Sequence, residues 1–207
     1  MTLAEMKEKF IKIVKEDIKR DGIDDLLNYL DENGFYECPA STKYHGSYAG
    51  GLMMHSLNVY YELQQTLKFI FGKDWQKRYS METVAIVSLF HDLCKVGKYT
   101  PTIKNVKNKE TGTWDTIECY EFNNDALQMG HSALSMHTIE KFMTLTDEEA
   151  QAIYWHMGAF DVSQYSTASG LFEAYSHNTL AMALHLADMI ATHVDENEHF
   201  KPIPYEE

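Results

Sequence analysis

An apolar run, Val84-Ala-Ile-Val-Ser-Leu-Phe90, leads directly into His91-Asp92 and then Leu93-Cys94-Lys95. No other feature constrains the fold as much. The apolar spacing predicts a helix over residues 81–96, and that helix places an imidazole and a carboxylate where a core would want leucines. Burying two such groups is costly unless something satisfies them, and one divalent cation satisfies both. The rest of the chain must then bring further ligands to the same place.

Helical periodicity recurs through most of the 207 residues. Leu3, Met6, Phe10, Ile13, Val14 and Ile18 predict an amphipathic helix over 3–20, and a second runs from Ile23 to Leu30 and stops near Gly34. Both are expected to pack beside the site. From Phe35 to Gly51 the chain reads as a loop that opens into a long helix at Gly50-Gly51. On this helix Leu52, His55, Val59, Leu63 and Leu67 share one face, which turns His55 toward the core.

Periodicity is lost between Thr100 and Phe122, where a Lys109-Glu110-Thr111-Gly112 turn separates two strand-like arms. These residues predict a β-hairpin inserted between helices. A helix from near Gly130 carries His131. The next starts on a Thr146–Glu149 capping box and runs to His156 before Gly158 ends it. A last helix, about 178–194, sets Ala181, Leu184, Asp188 and Ala191 on one face. The expected fold is all-α with one small hairpin at about residues 100–122. A single domain spans 1–207, its segment 1–34 packed on a core of 39–195.

Five helices thus offer His55, His91 with Asp92, His131, His156 and Asp188 as metal ligands. A lone histidine on an apolar face is usually a hydrogen-bonded core residue. Two aspartates beside four histidines change that reading, because a buried aspartate is rarely left without a partner. Lys95 follows the pair by one helical turn and faces the same cavity. Its alternative role is a solvated cation at the helix end.

Charge narrows the partners. The net charge is −13, and Arg20 and Arg78 are the only arginines, which argues against a duplex nucleic-acid surface. Yet from Leu93 to Lys109 there is no acidic residue and there are five lysines: Lys95, Lys98, Lys104, Lys107 and Lys109. This stretch is either a solvated loop or a patch that draws in a small anion, and its attachment to His91-Asp92 favours the patch. Cys38, Cys94 and Cys119 show no CxxC spacing and read as reduced structural thiols. No run is long and apolar enough for a membrane span or export signal, so the expectation is a cytoplasmic protein with no membrane partner.

The order of these residues resembles the HD superfamily of metal-dependent phosphohydrolases. The likeness is carried by Tyr48-Ala-Gly-Gly-Leu-Met-Met-His55, His91-Asp-Leu-Cys-Lys95, Gly130-His131, Trp155-His156-Met-Gly158 and Leu184-His-Leu-Ala-Asp188. It implies an HD-type helical bundle around a metal centre, and the two additional histidines imply a binuclear one. By position, His55, His91, Asp92 and Asp188 would hold the first ion, and His131, His156 and a bridging Asp92 the second. Nitrogen and oxygen donors of this kind take Mn, Fe, Co, Ni or Zn. Met157 stands where some binuclear relatives have a second histidine, which implies a weaker second position.

The resemblance implies hydrolysis of a nucleotide or other small phosphorylated substrate by a metal-activated water, with Asp92 and Lys95 in catalytic roles. The loop Pro39–Tyr48 also looks like the family. It offers Lys43, His45 and Tyr48 as substrate contacts, with Lys98 added from the lysine-rich stretch. His185, one turn before Asp188, reads as a partner to a ligand, while His137, His177, His193 and His199 fall outside the ligand blocks. Two other chemistries occur among such relatives. One is a diiron oxygenase with the same six ligands, and the other is a 3′-to-5′ exoribonuclease-like nuclease, which the acidic balance disfavours. A binding module with a dead site is disfavoured because all six ligand positions are filled.

Overall fold

A computed structural model describes residues 1–108, 111–161 and 168–197. Among these, the chain forms α1 (Leu3–Asp17), α2 (Ile23–Glu32), α3 (Gly51–Phe71), α4 (Met81–Phe90), β1 (Tyr99–Lys107), β2 (Trp114–Phe122), α5 (His131–Glu140), α6 (Asp147–Trp155), α7 (Ala168–His177) and α8 (Thr179–Ile190). The expected predominance of helix with one small hairpin is therefore observed. Helix α7 was not anticipated; of its residues 169–177 only Ala174 is buried, so its apolar pattern is weak.

The helices begin where side chains satisfy their free N–H groups. Thr2 and Glu5 form a capping box on α1, and Thr146 and Glu149 form the expected one on α6. The Ser80 hydroxyl accepts from Thr83 N–H at the start of α4, and Asn178 caps α8. Helix α3 starts differently. A Cβ at Gly51 would lie 2.0 Å from the Gly46 carbonyl oxygen, so only glycine lets the 39–48 loop fold back onto this helix.

Helix α4 is the centre of the bundle. Val84 to Phe90 are all buried, and α4 packs against α1, α3 and α6. Phe10, Phe35, Tyr36 and Phe90 meet edge-on or tilted around it, with centroids 5.1–6.3 Å apart. The predicted helix over 81–96 is corrected here. It ends at Phe90; Asp92 has φ −109° and ψ 20°, and Leu93–Lys95 form a separate 3-10 turn. Successive residues of an α-helix point about 100° apart. Breaking the helix at the pair lets His91 and Asp92, adjacent in sequence, face one point.

The segment 1–34 is tied to the bundle by one of the two arginines. Arg20 donates from Nη1 to Glu149 Oε2 at 2.6 Å and from Nη2 to Glu149 Oε1 at 3.0 Å. Arg78 donates to Glu148 at 3.1 Å. Both guanidinium groups thus serve the acidic N-terminus of α6 rather than an external anion.

The hairpin pairs antiparallel from Tyr99↔Phe122 to Lys107↔Trp114. Ile103, Val106, Trp114 and Ile117 are exposed, and Lys104 and Lys107 lie along β1. Its Lys109-Glu110 turn lies outside the described residues. No helix among the described residues is long and apolar enough to cross a membrane, and all three cysteines are free thiols.

Candidate metal centre

Four imidazoles and two carboxylates converge beneath a cavity of about 1130 Å³. His55 comes from the second turn of α3, His91 and Asp92 from the break after α4, and His131 from the first turn of α5. His156 caps the C-terminus of α6, and Asp188 lies in the last turn of α8. His55, His91, Asp92 and His156 are essentially inaccessible. Asp188 and His131 are the partly open members, with side chains 14% and 19% exposed.

The ring orientations are set by what each Nδ1 touches. His91 Nδ1 donates to the Ser88 carbonyl at 2.7 Å, and His156 Nδ1 donates to the Ile153 carbonyl at 2.6 Å. A carbonyl only accepts, so these two rings carry their proton on Nδ1 and turn an Nε2 lone pair inward. His55 Nδ1 donates to Glu196 Oε1 at 3.0 Å, and its Nε2 lies 3.3 Å from His91 Nε2. His156 Nε2 is buried with no hydrogen-bond partner among the described residues. The close approach of the His55 and His91 Nε2 atoms and the orphaned ring nitrogen of His156 among carboxylates fit a divalent cation, which would take the place of the proton held between His55 and Asp188. The nitrogen and oxygen donors are those a borderline transition metal takes.

Asp92 lies between two groups of ligands. Its Oδ2 is 3.5 Å from His91, 3.6 Å from His55 and 2.6 Å from Lys95 Nζ, while its Oδ1 is 2.6 Å from His131 and 3.6 Å from His156. One oxygen per group is the arrangement a bridging carboxylate requires. Asp188 Oδ1 is 3.2 Å from His55 Nε2. The division between the two groups is less clean than position implies, because His156 also clusters with His91 and Asp188.

The electrostatics follow from packing these groups together. Burial would raise the Asp92 carboxyl, but Lys95, His91 and His131 outweigh it and hold the group well below the usual range. Asp188 is likewise held low against burial by the His55 hydrogen bond and by the surrounding imidazoles. Burial drives His91 down to about 3, so it stays neutral. His55 goes the other way, pushed up to about 10 against its burial by Asp188 and Glu196. Lys95 is raised by Asp92 despite burial and stays charged.

Of the expected substrate contacts, Lys43, His45 and Tyr48 line the cavity together with Lys95. Lys98 is not among its lining residues; its backbone is bonded to Lys95 and Asn123 at the root of the hairpin. Of the four described lysines in that stretch only Lys95 lines the cavity; Lys104 and Lys107 lie along β1, and Lys109 lies outside the described residues. Met157 lines the cavity. His185 donates from Nδ1 to the His156 carbonyl at 2.6 Å and stacks on Tyr175. A Cβ at Gly158 would press to 2.7 Å from that ring, so His185 holds the His156 turn in place. His137 and His177 are exposed, and His177 pairs with Glu173. His193 is exposed at the cavity rim, and His199 lies outside the described residues.

Two residues at the centre were not anticipated. Cys94 Sγ lies 3.3 Å from His131 Nδ1, its thiol pushed up to about 12 by burial and by Asp92, so it supports that ring as a thiol. Glu196 holds His55 Nδ1 and also accepts from Asn58 Nδ2 at 3.0 Å. Its signal was hidden by a change of helix type. On an α-helix, the residue seven after Asp188 returns to nearly the same face, which points to Asp195. A π-helical segment, Ala191–Asp195, follows α8 and accommodates one extra residue. Glu196 therefore takes the inward position, and Asp195 is exposed.

No protein-family model, curated protein or solved structure matches the chain.

Proposed function

We propose that this protein is a metal-dependent phosphohydrolase of the HD type, acting on a nucleotide or other small phosphorylated substrate. The observation that carries the reading is the position of Asp92. Its two oxygens face separate imidazole groups, and Lys95 Nζ lies 2.6 Å from one of them at the wall of a large cavity. His55, His91, Asp92 and Asp188 would hold one ion, and His131, His156 and Asp92 a second. Ions of this kind supply Lewis acidity toward a phosphoryl oxygen and a nucleophilic water near neutral pH.

The chain's own residues do the remaining work. Lys95 brings a fixed positive charge to the cavity floor, where a phosphoryl group gains negative charge as the ester bond breaks. Asp92 shares its carboxylate between the two halves of the site and keeps Lys95 directed inward. Ser88, Ile153 and Glu196 fix the imidazole tautomers, so the ligands need no rearrangement to present Nε2. Lys43 and Tyr48 stand at the mouth, where the remainder of the substrate would lie.

The test is elemental analysis and phosphate release together. The isolated protein should contain one or two transition-metal ions per chain and release phosphate from members of a nucleotide and sugar-phosphate panel. Asp92→Asn should lose both metal and activity, whereas His131→Ala should retain about one ion. A metal-loaded protein that releases no phosphate from any panel member would sink the reading.

A further inference from the structure

Beside the metal centre, two buried polar atoms have no partner among the described residues: His45 Nε2 and Glu196 Oε2. The Glu196 side chain is 6% exposed, and its other oxygen is fully engaged by His55 and Asn58. Ligand atoms of His45, His55 and Glu196 lie within 4.8 Å of one another, and the rings of His45 and His55 are 5.2 Å apart. Both His45 and Glu196 line the same cavity as Asp92 and Lys95. An unpaired carboxylate oxygen in such a place costs free energy until something donates to it.

The chemistry of the missing partner can be narrowed. A second phosphate is excluded by the negative charge of Glu196. A cation, whether metal or ammonium, would face the metal centre across the single imidazole of His55 and be repelled. His55 Nδ1 is also spent on Glu196 and is not free to ligate a third ion. A hydroxyl donates its one hydrogen to the carboxylate and accepts, on its oxygen, from His45 Nε2–H.

We propose that His45 and Glu196 form a hydroxyl-binding subsite, so that the substrate is a phosphate ester whose alcohol portion carries a further hydroxyl. This rests on the phosphohydrolase reading and deepens it. The phosphoryl group is bound at the Asp92–Lys95 floor, and the hydroxyl is read one imidazole ring away, on the other side of His55. The loop 39–48 supplies one half of the subsite and the segment after the π-helix supplies the other.

Rates of phosphate release from four probes test this: ethyl phosphate, 2-aminoethyl phosphate, glycerol 3-phosphate and ribose 5-phosphate, each with the manganese-loaded full chain. The hydroxylated probes should exceed ethyl phosphate in kcat/KM by about tenfold, the worth of one hydrogen bond to a buried charge. Preference for ribose 5-phosphate would place the hydroxyl on a sugar ring, and preference for glycerol 3-phosphate on an open chain. In His45→Ala and, independently, in Glu196→Gln, the ratio should fall to about threefold or less. If both variants lower all four rates equally and leave the ratio intact, the two residues only position His55, and the subsite is refuted. Equal wild-type rates for ethyl and hydroxylated probes, or a preference for 2-aminoethyl phosphate, refute the subsite while leaving phosphohydrolysis standing. Release from none of these probes and from no member of the nucleotide panel overturns both readings.

Discussion

Arg20 and Glu149 show how much one residue pair can matter outside the metal centre. The Glu149 side chain is fully buried, and burial alone would raise its carboxyl. The bidentate Arg20 bond and the Thr146 N–H outweigh this and hold it low. Arg20→Ala leaves that carboxylate buried without its cation, and should cost about 3 kcal/mol in urea unfolding. Arg78→Ala, at a half-exposed pair, should cost less than about 1 kcal/mol. The pH dependence has a definite sign. Because the folded-state pKa of Glu149 is depressed, its contribution is fully present above the ordinary carboxylate value of 4.5. It should be lost as pH falls below that value and through the folded-state pKa, a loss that Arg20→Ala should blunt. Polar residues on apolar faces, such as His55 and Asp188, were legible from sequence for the same reason that Glu149 matters: burial demands a partner. Glu196 was not legible, because one residue of π-helix moves it into a place that α-helical spacing assigns to Asp195.

At the scale of elements, the contact between α3 and the 39–48 loop makes the sharpest prediction. Gly51→Ala would drive a methyl into the Gly46 carbonyl, and backbone on both sides leaves little room to yield. Destabilisation of about 1–3 kcal/mol is expected, visible as a lower thermal midpoint. The loop that holds Lys43, His45 and Tyr48 should also become more accessible to protease. A variant with unchanged midpoint and digestion pattern would show that the loop is not clamped there. Most elements could be read in advance because their caps and apolar periods agree, as at Thr146–Glu149 and along Leu52–Leu67. The end of α4 could not. Its apolar pattern continues through Leu93, while the requirement that His91 and Asp92 face one point belongs to the tertiary structure and breaks the helix after Phe90.

For the whole molecule, the candidate ligands span residues 55 to 188, so the site exists only when α3, α4, α5, α6 and α8 are all docked together. An ion that binds this assembly and not the open chain stabilises it by mass action, about 2.7 kcal/mol at a hundredfold excess over its dissociation constant. In a chain of this length that corresponds to a rise of roughly 5–10 °C in the thermal midpoint. Manganese should produce the rise, a chelator should reverse it, and Asp92→Asn should abolish it. The hairpin meets this assembly at its root, where Tyr99 packs against the core and lines the cavity. Its two ends are joined at the root, where Asn123 N–H donates to the Lys98 carbonyl at 2.9 Å and Asn123 Nδ2 donates to the Gly97 carbonyl at 3.0 Å. Beyond that root β1 and β2 pair only with each other among the described residues. The strand residues beyond Tyr99 and Phe122 therefore form a cassette mounted on a closed base. Its length and sequence are free to drift, or to be replaced by a tag or a fused domain, without altering the spacing between Lys95 and His131 across the cavity.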